Sequence, residues 1–373
     1  MGDWLRLPYT LSTWFVAVCY ATLLASLVLC PLLLLRRLAG RRLRPLSRMA
    51  LWYVLLALML LLPASMRWGA GFTFTGRVGP DYAFPPVCFT FKALGRLGSD
   101  GGGPFWQPSG ALRLHIFASL SPNRGFFVRE VDGMPVLLVW LAGAALSLLL
   151  PAAGYLRLRR KLCGADRPEE ETAALVTGCA RELFGLEPPA VRVVSQARFP
   201  ELSCPCLAGW RRPVLILVRE QWEALTPEER RSMAVHELAH LRHRDNALNL
   251  LLVALQAIQW FNPLIPFAFR RLRQDLECLR DQEVLEKLPE GEALSYAGAI
   301  VRLARMRRLR RRPALHSGML SASGLGFRVE LLGETERYQR PQEAALLLLF
   351  LLLMLTPLLL RTLPGLFSAS IAC

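Results

Sequence analysis

Apolar stretches over residues 11–35, 49–66, 134–156 and 344–360 each come close to the roughly 20 residues that a helix needs to cross a hydrocarbon core, and no other feature restricts the fold so severely. Within lipid, every backbone N–H and C=O must find its partner inside the segment, so such stretches have to be helical. Composition agrees, because 53% hydrophobic residues and a mean hydropathy of +0.32 are too apolar for an ordinary soluble chain of 373 residues. The first stretch runs on to Leu35 with no small-residue cleavage site behind a short apolar core, so it is expected to stay as a span.

Charge sets the expected topology. Arg36, Arg37, Arg41, Arg42, Arg44 and Arg48 crowd the short link between the first two stretches, which holds that link in the cytoplasm. Residues 1–66 then form two spans with the N-terminus outside, and residues 67–133 form an external loop. Residues 134–156 return the chain inward at Arg157, Arg159, Arg160 and Lys161, residues 157–343 make a cytoplasmic domain, and residues 344–360 exit before a short external tail, residues 361–373. The external loop is rich in Gly, Pro and aromatics, as in Gly101-Gly102-Gly103-Pro104-Phe105-Trp106, so irregular structure against the bilayer is expected there.

The formal charge of +16 would suit nucleic acid, but the arginines cluster beside the apolar runs instead of covering one face. Even the run Arg302, Arg305, Arg307, Arg308, Arg310, Arg311 and Arg312 lacks interleaved aromatics, so contact with the lipid bilayer is expected and no direct nucleic acid. Nine cysteines, an odd number, exclude a complete intramolecular disulfide framework. Cys204 and Cys206, one residue apart with no second pair following, read as small residues flanking a turn at Pro205 rather than as a zinc ribbon.

Chemistry concentrates in the cytoplasmic segment. Thr226-Pro227-Glu228-Glu229 is a helix-start signal, with Thr226 as cap, Pro227 in the first turn and Glu229 closing a capping box. The helix that follows carries His236-Glu237-Leu238-Ala239-His240. Imidazoles four residues apart share a helix face and can bind one metal at about 2.0–2.1 Å. Glu237 is placed to deprotonate a metal-bound water, and neutral imidazole ligands would leave zinc acidic enough to lower that water's pKa toward about 7. A third protein ligand is needed, for which His243, Asp245, Asp275, Glu277 and Asp281 are the candidates. His243, three residues past His240, rotates to the helix flank and reads as a solvated member of Arg242-His243-Arg244. Residues 273–281 read as a second helix with Glu277 and Asp281 on one face.

Between these helices, residues 247–261 are nearly all apolar and end at the breaker Asn262-Pro263. A helix buried in the domain or leaning on the bilayer is expected, because a crossing would separate the two ligand-bearing helices by a membrane. Upstream, residues 212–218 are β-rich after a turn at Gly209. An exposed strand edge at Pro213, Val214, Leu215 and Ile216 would stand where a substrate chain could add by main-chain hydrogen bonds, with a plain core strand as the alternative.

In order and spacing, the chain resembles the BlaR/MecR-type membrane zinc metallopeptidases, the antirepressor sensors of bacterial antibiotic resistance. The resemblance rests on the four-span layout and on Pro205-x-x-x-Gly209-x-x-Arg212-Pro213-Val214, the motif from His236 to His240 with Asp245, Trp260-Phe261-Asn262-Pro263-Leu264, and Asp275-x-Glu277-x-x-x-Asp281-x-x-Val284. It implies an α+β gluzincin-like peptidase domain with one zinc ion held by His236, His240 and Glu277, Glu237 as base, and Asp281 and Asp245 supporting the ligands. Two features depart from the pattern. Only Arg361 to Cys373 follow the last apolar stretch, so a C-terminal penicillin-binding sensor domain and direct β-lactam acylation are not expected. Arg280 stands where the family usually has a cysteine, a change expected not to touch the ligands.

The resulting expectation is a bacterial cell-membrane, multi-pass zinc metalloendopeptidase with its catalytic domain in the cytoplasm. It would cleave itself or a BlaI-like transcriptional repressor in regulated signalling, with monomer and homodimer both open. The alternative is a non-catalytic membrane signal transducer with a structural zinc site.

Overall fold

The computed structural model describes residues 28–37, 43–64, 88–97, 106–118, 127–132, 134–200, 205–289 and 291–308, together with single positions that include Val18, Thr22, Ser26, Leu202 and Arg328. The chain divides into two compact units, one of Met1–Leu35, Tyr53–Ala145 and Ala344–Cys373, the other of Arg36–Trp52 and Leu146–Glu343.

In the first unit, the stretch at residues 11–35 is described only in part and is helical where it is, and the stretch at residues 344–360 lies outside the described residues. Helix α1, Pro45–Ala64, carries most of the second apolar stretch across both units. Helix α2, Met134–Leu162, carries the third. Among the described residues its Pro135–Leu162 portion is the one helix long and apolar enough to cross a membrane. Leu138, Val139, Leu146, Leu149 and Leu150 are all more than half exposed on it, an apolar surface of the kind that meets lipid or another protein. The loop expected to be irregular instead forms a three-stranded antiparallel sheet, β1 (Cys88–Leu97), β2 (Trp106–Ala118) and β3 (Phe127–Asp132), paired in that order. The Gly- and Pro-rich composition hid alternating, β-branched and aromatic runs such as Phe89-Thr90-Phe91 and Leu112-Arg113-Leu114-His115-Ile116, which favour strands.

The second unit is α+β. Helix α3 (Glu170–Gly178), prolonged by a π turn at Cys179–Leu183, leads to β4 (Ala190–Val194), β5 (Cys206–Ala208) and β6 (Val214–Val218). Strand β6 is central, parallel to β4 and antiparallel to β5. The β5–β6 turn needs Gly209, whose φ of +96° places it where side chains are strained and whose added Cβ would stand 3.1 Å from the Arg212 carbonyl oxygen. Both faces of β6 are covered, so it reads as a continuous apolar run. Leu215 and Leu217 face Val176, Trp222, Leu238 and Tyr296, whereas Ile216 and Val218 face Val194, Phe199 and the end of α2 at Leu158 and Leu162.

After a short helix α4 (Arg219–Glu223), helix α5 (Pro227–Arg242) starts where its capping signal stands. The Glu229 N–H donates to Thr226 Oγ1 at 3.3 Å and the Thr226 N–H donates to Glu229 Oε2 at 3.0 Å. Every residue of α5 from Ser232 to His240 is buried, so this helix is the axis around which α6 (Asp245–Ile258), α7 (Leu264–Lys287) and α8 (Ala293–Arg308) pack. Helix α6 contains most of the apolar run expected at residues 247–261. Its Leu252, Leu255 and Ala257 are buried, while Leu250 in mid-helix and Ile258, Trp260 and Phe261 near the corner before α7 stay partly exposed.

Candidate metal centre

Two helices supply the centre. The helical repeat of α5 places His236 and His240 one turn apart with their Nε2 atoms 3.2 Å from each other. Helix α7 brings Glu277 to them from the side, its Oε2 3.5 Å from His236 Nε2 and its Oε1 3.7 Å from His240 Nε2. One ligand atom from each of the three residues lies within 4.8 Å of the others, and all three residues are buried.

What lies behind the imidazoles decides which nitrogen is available. His240 Nδ1 lies 2.7 Å from Asp245 Oδ2 and His236 Nδ1 lies 2.8 Å from Tyr296 Oη, whose own O–H donates to Asp281 Oδ1 at 2.6 Å. A proton on each Nδ1 would satisfy these oxygens. That leaves two Nε2 lone pairs opposed at 3.2 Å beside a carboxylate, an arrangement that a shared cation relieves. Two imidazole nitrogens with one carboxylate therefore fit a divalent metal, and the same donor set occurs at catalytic zinc sites.

Further charges enclose the donors. Arg280 donates through Nε and Nη2 to Asp245 at 2.7 and 3.0 Å, and Arg328 donates through Nε and Nη2 to Asp281, both at 2.6 Å, while its Nη1 stands 3.2 Å from Glu277 Oε2. Burial alone would raise the Glu277 carboxyl, but where the facing imidazoles carry a second proton, the bond with His236 and the positive charges of His240 and Arg328 outweigh it and hold the group at about 2. Glu237 has the opposite balance. Burial pushes its carboxyl up to about 7, with the negative charge of Glu277 adding to the rise and His240 and Arg328 opposing it. Asp245 is buried too, yet its bonds with His240 and Arg280 keep it below the usual carboxylate range.

Of the five candidates for a third ligand, Glu277 alone reaches both Nε2 atoms among the described residues. Asp245 and Asp281 stand behind the imidazoles. His243 is 41% exposed and pairs with Glu283 at 2.9 Å, on the flank as its rotation about the helix requires. Asp275 belongs to a separate buried cluster, where it accepts from Arg36 at 2.8 and 3.1 Å and from the Trp52 indole at 2.8 Å. The link following the first apolar stretch is thereby tied to the helix that bears Glu277.

The strand expected to offer an open edge does not have one. Val214, Leu215 and Ile216 are paired on both sides, by β4 and by β5, and Leu215 and Ile216 are fully buried, so residues 214–216 belong to a plain core strand and Pro213 stands just before it. The hairpin turn at Gly209 folds β5 over the side that the sequence left open, and β5 is the edge strand beside α5. Asn246 fastens this turn, donating through Nδ2 to the carbonyls of Gly209 at 2.7 Å and Leu207 at 3.3 Å.

Arg280, Tyr296 and Arg328 were not foreseen. Arg280, expected to leave the ligands alone, acts on His240 through Asp245 and completes the buried row Arg280, Asp245, His240. Its signal was present, since an arginine one residue before Asp281 on a helix already read as facing the site called for a partner. Tyr296 and Arg328 carry none, because they meet Asp281 from 15 and 47 residues further along the chain.

The family model for the BlaR1 peptidase M56 matches residues 125–332, more than half of the chain. The regulatory protein BlaR1 of Bacillus licheniformis is 26% identical over 167 residues, which cover 44% of this chain and 26% of that protein. The methicillin resistance mecR1 protein of Staphylococcus aureus is 28% identical over 98 residues, which cover 26% of this chain and 17% of that protein. The chain thus spans about a quarter or less of the length of these curated relatives.

Proposed function

Since the chain belongs to the BlaR1 peptidase M56 family, we propose that it is a membrane-bound zinc metalloendopeptidase that hydrolyses a protein substrate in regulated signalling. One observation carries this reading: two imidazole Nε2 atoms and the Glu277 carboxylate meet in a buried cluster, with Glu237 beside the first imidazole on the same helix.

His236, His240 and Glu277 would hold the zinc. Bound there, the ion would supply Lewis acidity to a water and to a peptide carbonyl. Glu237, buried beside the first imidazole, takes a proton from the attacking water and passes it to the leaving amine nitrogen. Asp245 and Asp281 hold the protons on the far side of the imidazoles, Asp281 by way of Tyr296, and so keep both Nε2 atoms turned inward. An extended substrate chain would lie along β5, the edge strand of the sheet among the described residues, which takes over the role first read for residues 213–216.

The wider assignment belongs to the same proposal. It comprises four spans, a gluzincin-like domain at residues 157–343 in the cytoplasm of a bacterial cell, and, as substrate, the chain itself or a BlaI-like repressor. The exposed apolar surface of α2 supports the membrane setting, and the arginines after each inward-running span support the orientation.

The test is Glu237→Gln in full-length protein in membranes. The variant should keep one zinc per chain and lose self-cleavage and cleavage of a co-expressed repressor. Retained cleavage would refute the peptidase reading, and lost cleavage with intact signalling would favour a transducer in which the metal is structural.

A further inference from the structure

Nothing in the amino-acid pattern marks Tyr296, a tyrosine on α8 whose side chain is fully buried against the motif helix. Its hydroxyl lies between two groups of the centre, donating to Asp281 Oδ1 at 2.6 Å and standing 2.8 Å from His236 Nδ1. The two imidazoles are therefore held differently. His240 meets its carboxylate directly at 2.7 Å, whereas Asp281 lies 3.4 Å from His236 Nδ1, beyond the usual range for N–H···O bonds. Arg328 clamps both oxygens of Asp281, so the carboxylate cannot swing to close that gap without leaving the guanidinium.

Resting on the reading of His236 as a metal ligand, we propose that Tyr296 is the positioning residue that selects the metal-binding tautomer of His236. A phenol has one proton. Because that proton is given to Asp281, the oxygen presents a lone pair toward His236, which can answer only with N–H at Nδ1. The Nε2 lone pair then points at His240 Nε2 and Glu277. The ring of Tyr296 contributes to the core that Leu238, Ala299 and Ile300 also build, and only its oxygen serves the centre. Phenylalanine would keep the first contribution and delete the second, leaving His236 Nδ1 without an acceptor in hydrogen-bonding range.

The test uses full-length, detergent-solubilised protein stripped of metal, as wild type and as Tyr296→Phe. Zinc affinity is read by competition with a chromophoric chelator, and the imidazole tautomers are read by 15N NMR after labelling the five histidines of the chain. The expected result is an Nδ1–H tautomer for His236 in the wild type, loss of that fixed tautomer in the variant, and zinc affinity about 10–100-fold weaker, the range found when a group that orients a metal ligand is removed. Equal zinc affinity in the two proteins, or weaker affinity with an unchanged tautomer, would overturn the proposal. So would a wild-type His236 carrying its proton on Nε2, a result that does not depend on the variant folding. Failure of the underlying metallopeptidase reading looks different, because the wild type itself would then take up no zinc, or Glu277→Ala would take up as much.

Discussion

Replacing Glu237 by Gln should stabilise the metal-free protein, and by an amount that grows with pH. Folding raises this carboxyl from its ordinary 4.5 to about 7, because burial penalises the charged form. Between those two values the folded chain keeps a proton that the unfolded chain has released, so the contribution of Glu237 to stability falls as pH rises through the window and is flat on either side. At roughly 1.4 kcal/mol per pH unit, the full cost above pH 7 is about 3 kcal/mol. Glutamine has the same shape and no charge, but its buried amide forgoes about 1 kcal/mol of hydrogen bonding, which leaves a net gain of about 2 kcal/mol. For a domain of this size that corresponds to an unfolding midpoint higher by about 4–8 °C. Thermal unfolding of chelator-treated wild type and variant, followed by circular dichroism at pH 5 and pH 8, measures it. The gain should be present at pH 8 and absent or reversed at pH 5, and saturating zinc should erase it by favouring the ionised Glu237. A difference between the proteins that is the same at both pH values would refute the reasoning, since burial of a charge would then not be what distinguishes them.

Glu277→Ala should abolish stoichiometric zinc binding, measured by metal analysis after dialysis; undiminished zinc would remove Glu277 from the ligand set. Arg280→Met strands the Asp245 charge, which is 3% exposed, and should cost about 3–5 kcal/mol in denaturant unfolding together with weaker zinc binding, because His240 loses its fixed acceptor. Gly209→Ala forces a side chain into a left-handed turn against the Arg212 carbonyl and should cost about 1–3 kcal/mol in the same assay. Recovery of that stability by a second change at Asn246 would argue against this, since Asn246 holds the same turn and its loss should only add to the damage.

Local rules were enough for the elements that depend on local physics. The capping box at Thr226, the face shared by His236 and His240, the turn at Gly209 and the breaker after residue 261 could each be read because backbone geometry couples residues a few positions apart. The same rules failed where two segments compete for one surface. Residues 213–216 had the composition of a strand, but whether a strand lies at an edge depends on what pairs beside it, and β5 occupies that place through a hairpin only a few residues long. Residues 88–132 failed for another reason, since glycines and prolines between the runs outweighed the alternation within them.

The sequence alone determined the kind of chemistry this protein can do and the helix that carries it, because a helical repeat of 3.6 residues brings two imidazoles onto one face whatever surrounds them. Tertiary structure decided which carboxylate stands within reach of both imidazoles and which groups lie behind them. Glu277, Asp281, Tyr296 and Arg328 all lie well beyond His240 along the chain and in no repeating pattern, so only the packing of α7 and α8 on α5 and the return of the chain at Arg328 bring such distant groups within hydrogen-bonding reach.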